Sequence, residues 1–378
     1  MRELKNKLTT GKSTKNIQSK KAKSFGYQIL GFGSGGGLPV TSLVANMMII
    51  GGGGGSFIAP SPGGGGAGGM VFIPASDMTP HFTTVVGDLD ITIGAGGTGQ
   101  RSFDAAGKLS VTPGGNTTLV DQGGNAFTAF NGIGGGAGGT SGSVGSTLNP
   151  SYSIPGGSGG GGIGESGSPG ATNPGGSSTQ APGMPSPLQP FGFGNAGGNG
   201  TSCDASPDRH GGGGGGAGGA GNPSGGPANG GNGKSVTPLF GSAPQTYYIA
   251  NGSNAGASAC GVFGGGGGGA QDPQRASGGG GSSGGPGGGG NAPDSPGATG
   301  DGIANTGGGG GAGRDPNPPQ SRNYLTLGGN GGSGYVLIKV PSCHSGAFAA
   351  SPGCNTVTTQ PDGTKVAAFK VSGTLDLT

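Results

Sequence analysis

Runs of glycine decide what this chain can fold into. They occur at 51–55, 134–139, 156–164, 211–221, 264–269, 278–290, 307–313 and 328–334, broken only by Ala, Ser, Pro, Ile163 or Asn330. A helix is disfavoured by about 1 kcal/mol per Gly relative to Ala, and a strand made of glycine has no cross-strand side-chain pairs to stabilise it. Collagen needs Gly at every third position with abundant Pro, whereas these runs are continuous. The regular conformation left is the left-handed, three-residue-per-turn helix of the polyproline II type, which makes no internal hydrogen bonds and points its N–H and C=O groups outward. Such helices can satisfy one another side by side only if the side chains between them are hydrogens. With 105 glycines among 378 residues and 29% apolar residues, the chain lacks the side chains for a layered core, which excludes doubly wound sheets and TIM barrels.

Ordering a glycine backbone is entropically the worst case, so a lone glycine helix would not form. A bundle, in which one helix bonds to up to six neighbours, offsets that cost and accounts for the recurrence of the runs. A flexible linker is the alternative, but a linker has no use for the apolar segments that bracket the runs. VANMMII (44–50) ends abruptly at five glycines, GMVFIP (69–74) follows the next run, Leu89, Ile91 and Ile93 alternate with a period of two, and GYVLIKV (334–340) closes the body. Ala137, Ala217 and Ala270 interrupt the runs and are expected where a methyl group can point outward. The fold class expected is mostly irregular and all-β: a bundle of polyglycine II helices bracketed by short strands, with a C-terminal β-hairpin.

Four zones follow: a basic arm (1–24), an aromatic and glycine transition (25–43), the glycine-rich body (44–340) and a C-terminal β segment of ordinary composition (341–378). Eight of the 18 Lys and Arg side chains lie in the first 23 residues, opposed there by Glu3 alone, so a formal +7 sits on the arm and −4 on the rest. The body has neither a basic surface nor interleaved aromatic readout, which argues against specific nucleic-acid binding. The arm reads as an anchor onto an acidic partner surface, with Lys5, Lys7, Lys12, Lys15, Lys20, Lys21, Lys23, Phe25 and Tyr27 as its contact residues; a merely solvated basic tail is the alternative. Residues 11–23 are polar, so no signal-peptide h-region follows the basic start, and no segment reaches the ~18 apolar residues of a membrane span. A product made in the cytoplasm and released by lysis is expected, without membrane insertion.

Little in the sequence points to catalysis, a metal or a cofactor, and an enzyme is not expected. The segment 228–235, ANGGNGKS, fits a relaxed P-loop pattern, but glycines and prolines precede it where a P-loop needs a buried strand. His81, His210 and His344 are scattered, and CDASPDRH (203–210) reads as a polar turn. No C-x-x-C occurs, which argues against structural zinc. Cys343 and Cys354 close a short Gly- and Pro-containing loop and are candidates for a local disulfide outside the cell; Cys203 and Cys260 could form a second. Asn116, Asn199 and Asn251 lie in N-x-[ST] sequons, which matter only in a eukaryotic secretory pathway. Aromatic residues between runs, Phe191, Phe193, Tyr247 and Tyr248, are candidates for receptor contact because they offer contact area at little entropic cost; the competing reading is that they cap the bundle.

The order VANMMIIGGGGG, TTVVGDLDITIGAGGTG, repeated glycine runs and GGNGGSGYVLIKVP, with the tail TTQPDGTKVAAFKVSGTLDLT, resembles the glycine-rich domain of many bacteriophage virion proteins, over residues 44–378. It is also similar to the tip adhesins on the long tail fibres of T-even-like phages. The resemblance implies a closing hairpin in the tail and a tail-fibre or appendage protein on the virion surface that is homo-oligomeric, contacts other virion proteins and reads a host-surface glycan or protein through loops. A capsid decoration protein without a receptor and a secreted filament or matrix protein are the alternatives.

Overall fold

The computed structural model describes residues 38–59, 61–78, 84–99, 111–139, 153–164, 172–180, 186, 188–201, 210–249, 260–271, 281–293, 300–314 and 327–377. The basic arm, with Lys5 to Lys23, Phe25 and Tyr27, lies outside them. The chain divides into a unit Met1–Val40, described only at residues 38–40, and a unit Thr41–Thr378. Strands and irregular backbone dominate the described residues and helix is scarce, so the chain is of the all-β or irregular class.

Ten strands of the second unit form two antiparallel sheets. The strands are β1 (Asn46–Ile50), β2 (Met70–Ile73), β3 (Leu89–Thr92), β4 (Thr118–Asp121), β5 (Gly192–Phe193), β6 (Tyr335–Val340), β7 (Ala349–Ser351), β8 (Thr356–Thr359), β9 (Lys365–Phe369) and β10 (Gly373–Asp376). The six-stranded sheet runs β8-β9-β6-β1-β2-β5 and the four-stranded sheet β7-β10-β3-β4. Segment 341–378 therefore shares both sheets with strands from residues 46–121. In the larger sheet Met48 pairs with both Leu337 and Phe72, and Leu337 pairs with Ala368.

Strand composition follows from this layering. On one face of the six-stranded sheet Met47, Ile49, Val71, Ile73, Val336, Ile338 and Phe369 pack with Leu89, Ile91, Leu119 and Leu375 of the smaller sheet. On the other face Met48, Ile50, Phe72, Leu337 and Ala368 pack with Phe240, Tyr247, Tyr248, Phe263 and Tyr335. Buried on both faces, β1, β2 and β6 are continuous apolar runs; β3, solvated on one face, alternates buried and exposed. The tail forms a hairpin, but from β8 and β9. The F-x-x-S-G-T element does not close a second one: β9 and β10 lie in different sheets, and the bend between them is held by Asn355, whose Oδ1 accepts the N–H groups of Lys370 at 2.9 Å and Val371 at 3.2 Å.

Beyond the sheets the glycine runs bond to one another with a period of three residues. The N–H groups of Gly51 and Gly54 donate to the carbonyls of Gly69 and Gly66, those of Gly52 and Gly55 to Gly115 and Thr112, and those of Gly53 and Ser56 to Gly332 and Gly329. The run 63–69 behaves in the same way: Gly63, Gly66 and Gly69 donate to Gly139, Gly136 and Ile133; Gly64 and Ala67 to Gly212 and Gly215; Gly65 and Gly68 to Gly310 and Gly307. Its carbonyls accept from three further runs, through Gly51 and Gly54, Ser158 and Gly161, and Gly267 and Ala270. Six neighbours thus surround this one run, five antiparallel to it and one, 212–215, parallel. An added Cβ has no space: at Gly63 it would lie 2.0 Å from the Gly161 carbonyl oxygen, and at Gly65 2.2 Å from that of Gly54.

The alanines do not point to solvent. Ala137 packs with Phe57 and Val111, Ala217 joins the aromatic cluster beneath the sheet, and Ala270 meets Ala292 and Ala312. Each methyl fills an apolar gap between elements, which supplies the room that positions within the lattice lack.

Candidate functional site

The unit Thr41–Thr378 has two chemically different ends. Strands β1 and β3 run directly into glycine runs, and β2 and β6 emerge from them, so the sheets close one pole. Thr117 sits at that seam with its side chain buried: its Oγ1 donates to the Ile50 carbonyl at 2.8 Å and accepts the Gly94 N–H at 3.0 Å. At the opposite pole Gly139 bonds with Gly63, Gly164 with Ser61, Gly211 with Ala270, Ala270 with Pro62, and Gly313 with Phe57. The chain leaves the described residues there, before 100–110, 140–152, 165–171, 202–209, 272–280, 294–299 and 315–326, and returns there after each.

The four aromatic candidates sit at the sheet pole and are engaged in the fold. Tyr247 and Tyr248 are only 1% and 6% exposed. Their hydroxyls donate to the carbonyls of Phe240 and Gly241, both at 2.5 Å, and the Tyr335 hydroxyl donates to the Tyr247 carbonyl at 2.6 Å. Their rings meet edge to face at 5.1 Å, and Phe263 stacks on Tyr335 at 5.6 Å. Burial pushes the Tyr248 and Tyr335 phenols well above the ordinary range, with the neighbouring Tyr247 adding to the effect. Phe191 packs against the core between the sheets. Phe193 packs at 6.4 Å from Phe72 and lies beneath Lys234, whose Nζ is 4.2 Å from the ring centre. Tyr247 and Tyr248 therefore help cover the second face of the six-stranded sheet, with their hydroxyls turned to backbone carbonyls.

The lysine of the P-loop-like segment is the one that covers Phe193. It lies in the two-residue strand Lys234–Ser235, with Val236 and the four-residue helix Thr237–Phe240 after it, and Pro238 in that first turn. Such a helix is too short to build an anion site. Cys343 and Cys354 are free and exposed, so the loop disulfide is not formed. Strand register explains the separation. Val340 and Thr359 both pair with Lys365, and a Cβ on Gly363 would lie 3.0 Å from Ser342, so Cys343 follows the tip of the β8–β9 hairpin. Cys354 precedes the other end of β8, five residues back, or roughly 16 Å at the rise of a strand, against a limit of about 7 Å between bridged Cα atoms. Cys260 is likewise free and exposed, whereas Cys203 lies outside the described residues, as do His81, Asn251 and all of 203–210 except His210.

Sequence reasoning missed a set of amide side chains along the margins of the lattice. The Oδ1 atoms of Asn116, Asn199, Asn229, Asn291 and Asn330 accept backbone N–H groups of Gly134, Gly175, Ser283, Gly284 and Gly99 at 2.8–3.0 Å. Gln180 reaches across with both ends of its amide, accepting from Ile133 at 2.8 Å and donating to Asn131 at 3.2 Å. A carboxamide is a peptide group on a tether, so an Asn beside the bonded runs supplies the acceptor that a further run would have provided. The signal was legible as Asn set inside or beside glycine runs.

Among the described residues no group of three or more His, Cys, Asp or Glu is arranged to hold a metal ion, and no helix is long and apolar enough to cross a membrane. The chain matches no protein-family model, no curated protein and no solved structure.

Proposed function

We propose that this is a bacteriophage virion structural protein, a tail-fibre or appendage component whose glycine runs are polyglycine II helices packed into a rigid body and whose basic arm anchors it to other virion proteins. The observation that carries the reading is the run 63–69, bonded through its backbone to six other runs. A bundle held by backbone alone needs no large core, leaves its connections free to vary in sequence, and offers proteases little accessible chain. Those are properties suited to a projection exposed on a particle. The arm's +7 charge supports the anchor, and the position of the described residues that flank 100–110, 140–152, 165–171, 202–209, 272–280, 294–299 and 315–326, at the pole away from the sheets, supports contact with a host-surface glycan or protein through that pole. Oligomerisation belongs to the same proposal.

A second reading, a capsid decoration or head appendage without receptor binding, is favoured by the burial of Tyr247 and Tyr248 and by the packing of the partly buried Phe191 and Phe193 against the cores. These are the aromatic residues that receptor contact would have used.

Particle incorporation tests the proposal. A chain lacking residues 1–24, supplied in place of the full chain during phage assembly, is expected to fold and stay off purified particles; normal incorporation of the shortened chain would refute the anchor. Replacing the connection 202–209 by Gly-Ser is expected to lower adsorption while leaving incorporation unchanged; undiminished adsorption would favour decoration.

A further inference from the structure

Asn-Gly pairs are the most readily deamidated dipeptides in proteins, because glycine leaves its nitrogen free to reach the preceding side chain. The described residues contain five, starting at Asn131, Asn199, Asn229, Asn232 and Asn330. Two are held on both sides of the reacting bond. Asn229 Oδ1 accepts the Ser283 N–H at 2.9 Å while the Gly230 N–H donates to the Ser283 carbonyl at 2.9 Å. Asn330 Oδ1 accepts the Gly99 N–H at 2.8 Å, and the Gly331 N–H donates to the Gly97 carbonyl at 2.8 Å. The Gly132 and Gly233 N–H groups are also engaged, with the carbonyls of Thr117 at 3.0 Å and Pro286 at 2.8 Å.

Deamidation needs the geometry these bonds forbid. The glycine N–H gives its proton to hydroxide, the nitrogen attacks Cγ of the asparagine, the Cγ–Nδ2 bond breaks, and ammonia leaves with a proton from water. Water then opens the resulting succinimide at either carbonyl, giving aspartate or isoaspartate. In the lattice the nitrogen is committed to a carbonyl of another run, and the asparagine amide is fixed toward a backbone N–H of that same run, so the N–Cγ approach is closed.

We propose that Asn229 and Asn330 are latent modification sites, protected from succinimide formation while the glycine runs are bonded and converted once a run opens. Conversion to isoaspartate makes the opening irreversible. It threads an extra methylene into the main chain and shifts every following donor out of the three-residue register on which the run's bonding depends. Both side chains are only partly buried, so water reaches them as soon as the run separates.

The test incubates the full chain at pH 8 and 37 °C, once native and once in denaturant, with peptide mass spectrometry of both pairs over time. Deamidation at Asn229 and Asn330 is expected to be at least roughly tenfold slower in the native chain, since only the open fraction reacts. Equal rates in the two conditions would overturn the protection. The denatured samples are then returned to native buffer. Isoaspartate-bearing chains are expected to be depleted from the refolded native fraction and enriched in the misfolded fraction; equal isoaspartate content in both would overturn the irreversibility.

Discussion

Replacing Gly53 with alanine places a methyl carbon 2.0 Å from the carbonyl oxygen of Gly308 and 2.5 Å from its carbonyl carbon. An ordinary contact needs about 3.4 Å or more, so the neighbouring run has to retreat by more than an ångström. That oxygen accepts the Gly332 N–H at 2.8 Å, and Gly53 itself donates to the Gly332 carbonyl at 2.8 Å. Two buried bonds are lost at about 1–3 kcal/mol each, and overpacking adds about 1–3 kcal/mol, for a total of roughly 3–9 kcal/mol. This is comparable to the whole stability of a domain, about 5–15 kcal/mol. The sign is diagnostic, because Gly→Ala at an unobstructed position stabilises by about 0.4–1 kcal/mol through the unfolded state. Gly226 is such a position, with no atom within 4 Å of an added Cβ. Differential scanning calorimetry of Gly53→Ala and Gly226→Ala is expected to give a large loss for the first and no loss for the second. Equal melting temperatures for Gly53→Ala and the unaltered chain would refute the packing argument.

Further outcomes follow from single sites. Thr117→Val keeps the shape but removes the hydroxyl's bond to the Ile50 carbonyl and leaves the Gly94 N–H without its acceptor in a buried seam, and denaturant titration is expected to show a loss of about 1–3 kcal/mol. Stability should also depend on pH at both extremes. Burial pushes the Asp121 carboxyl up, but hydrogen bonds from the Asn125 side chain and from the backbone of Val86, Asn125 and Gly123 outweigh it and hold the group below its ordinary 3.8. Its contribution is therefore complete above that value and lost as pH falls through the lower folded one, and Asp121→Asn should flatten the acid limb. The buried Tyr248 and Tyr335 phenols, raised above their ordinary 10.0, contribute fully below pH 10 and lose that contribution as pH rises beyond it; Tyr335→Phe should weaken the alkaline limb of a pH–melting curve. Cys260, Cys343 and Cys354 are expected to react with a thiol reagent in the native chain without prior reduction, as read by intact-mass spectrometry.

The strands were legible because their residues respond to local rules. Leu89 and Ile91 alternate with Asp90 and Thr92, and the apolar runs at 46–50, 70–73 and 335–340 became strands within a residue or two of where composition placed them. The exclusion of side chains from most positions of the runs was legible for the same reason, since a Cβ at Gly52, Gly53 or Gly63 would lie 2.0 Å from a carbonyl oxygen of a neighbouring run. What stayed hidden was long-range arrangement. Nothing local tells that Gly54 meets Gly66 and Gly310, or that Ala137 turns toward Phe57 and Val111. Tyr247 and Tyr248, read as loop residues, are buried because the second face of the six-stranded sheet needs a cover, and the existence of that face depends on β6, β8 and β9 arriving from the far end of the chain. Cys343 and Cys354 stay apart because sequence proximity conceals that the chain between them carries one to the tip of the β8–β9 hairpin and the other to its open end. The asparagines inside and beside the runs were visible as such, but which backbone N–H each Oδ1 accepts depends on the neighbouring run and was not.

Hydrogen–deuterium exchange of the glycine amides tests the central claim most directly. If the runs are bonded to one another as described, the amides of Gly51 to Gly55 and Gly63 to Gly69 exchange only through global unfolding and are protected as strongly as those of Met47 to Ile50 in β1. Exchange of those glycines at the rate of an unstructured peptide, with the strands alone protected, would contradict it and make the runs linkers.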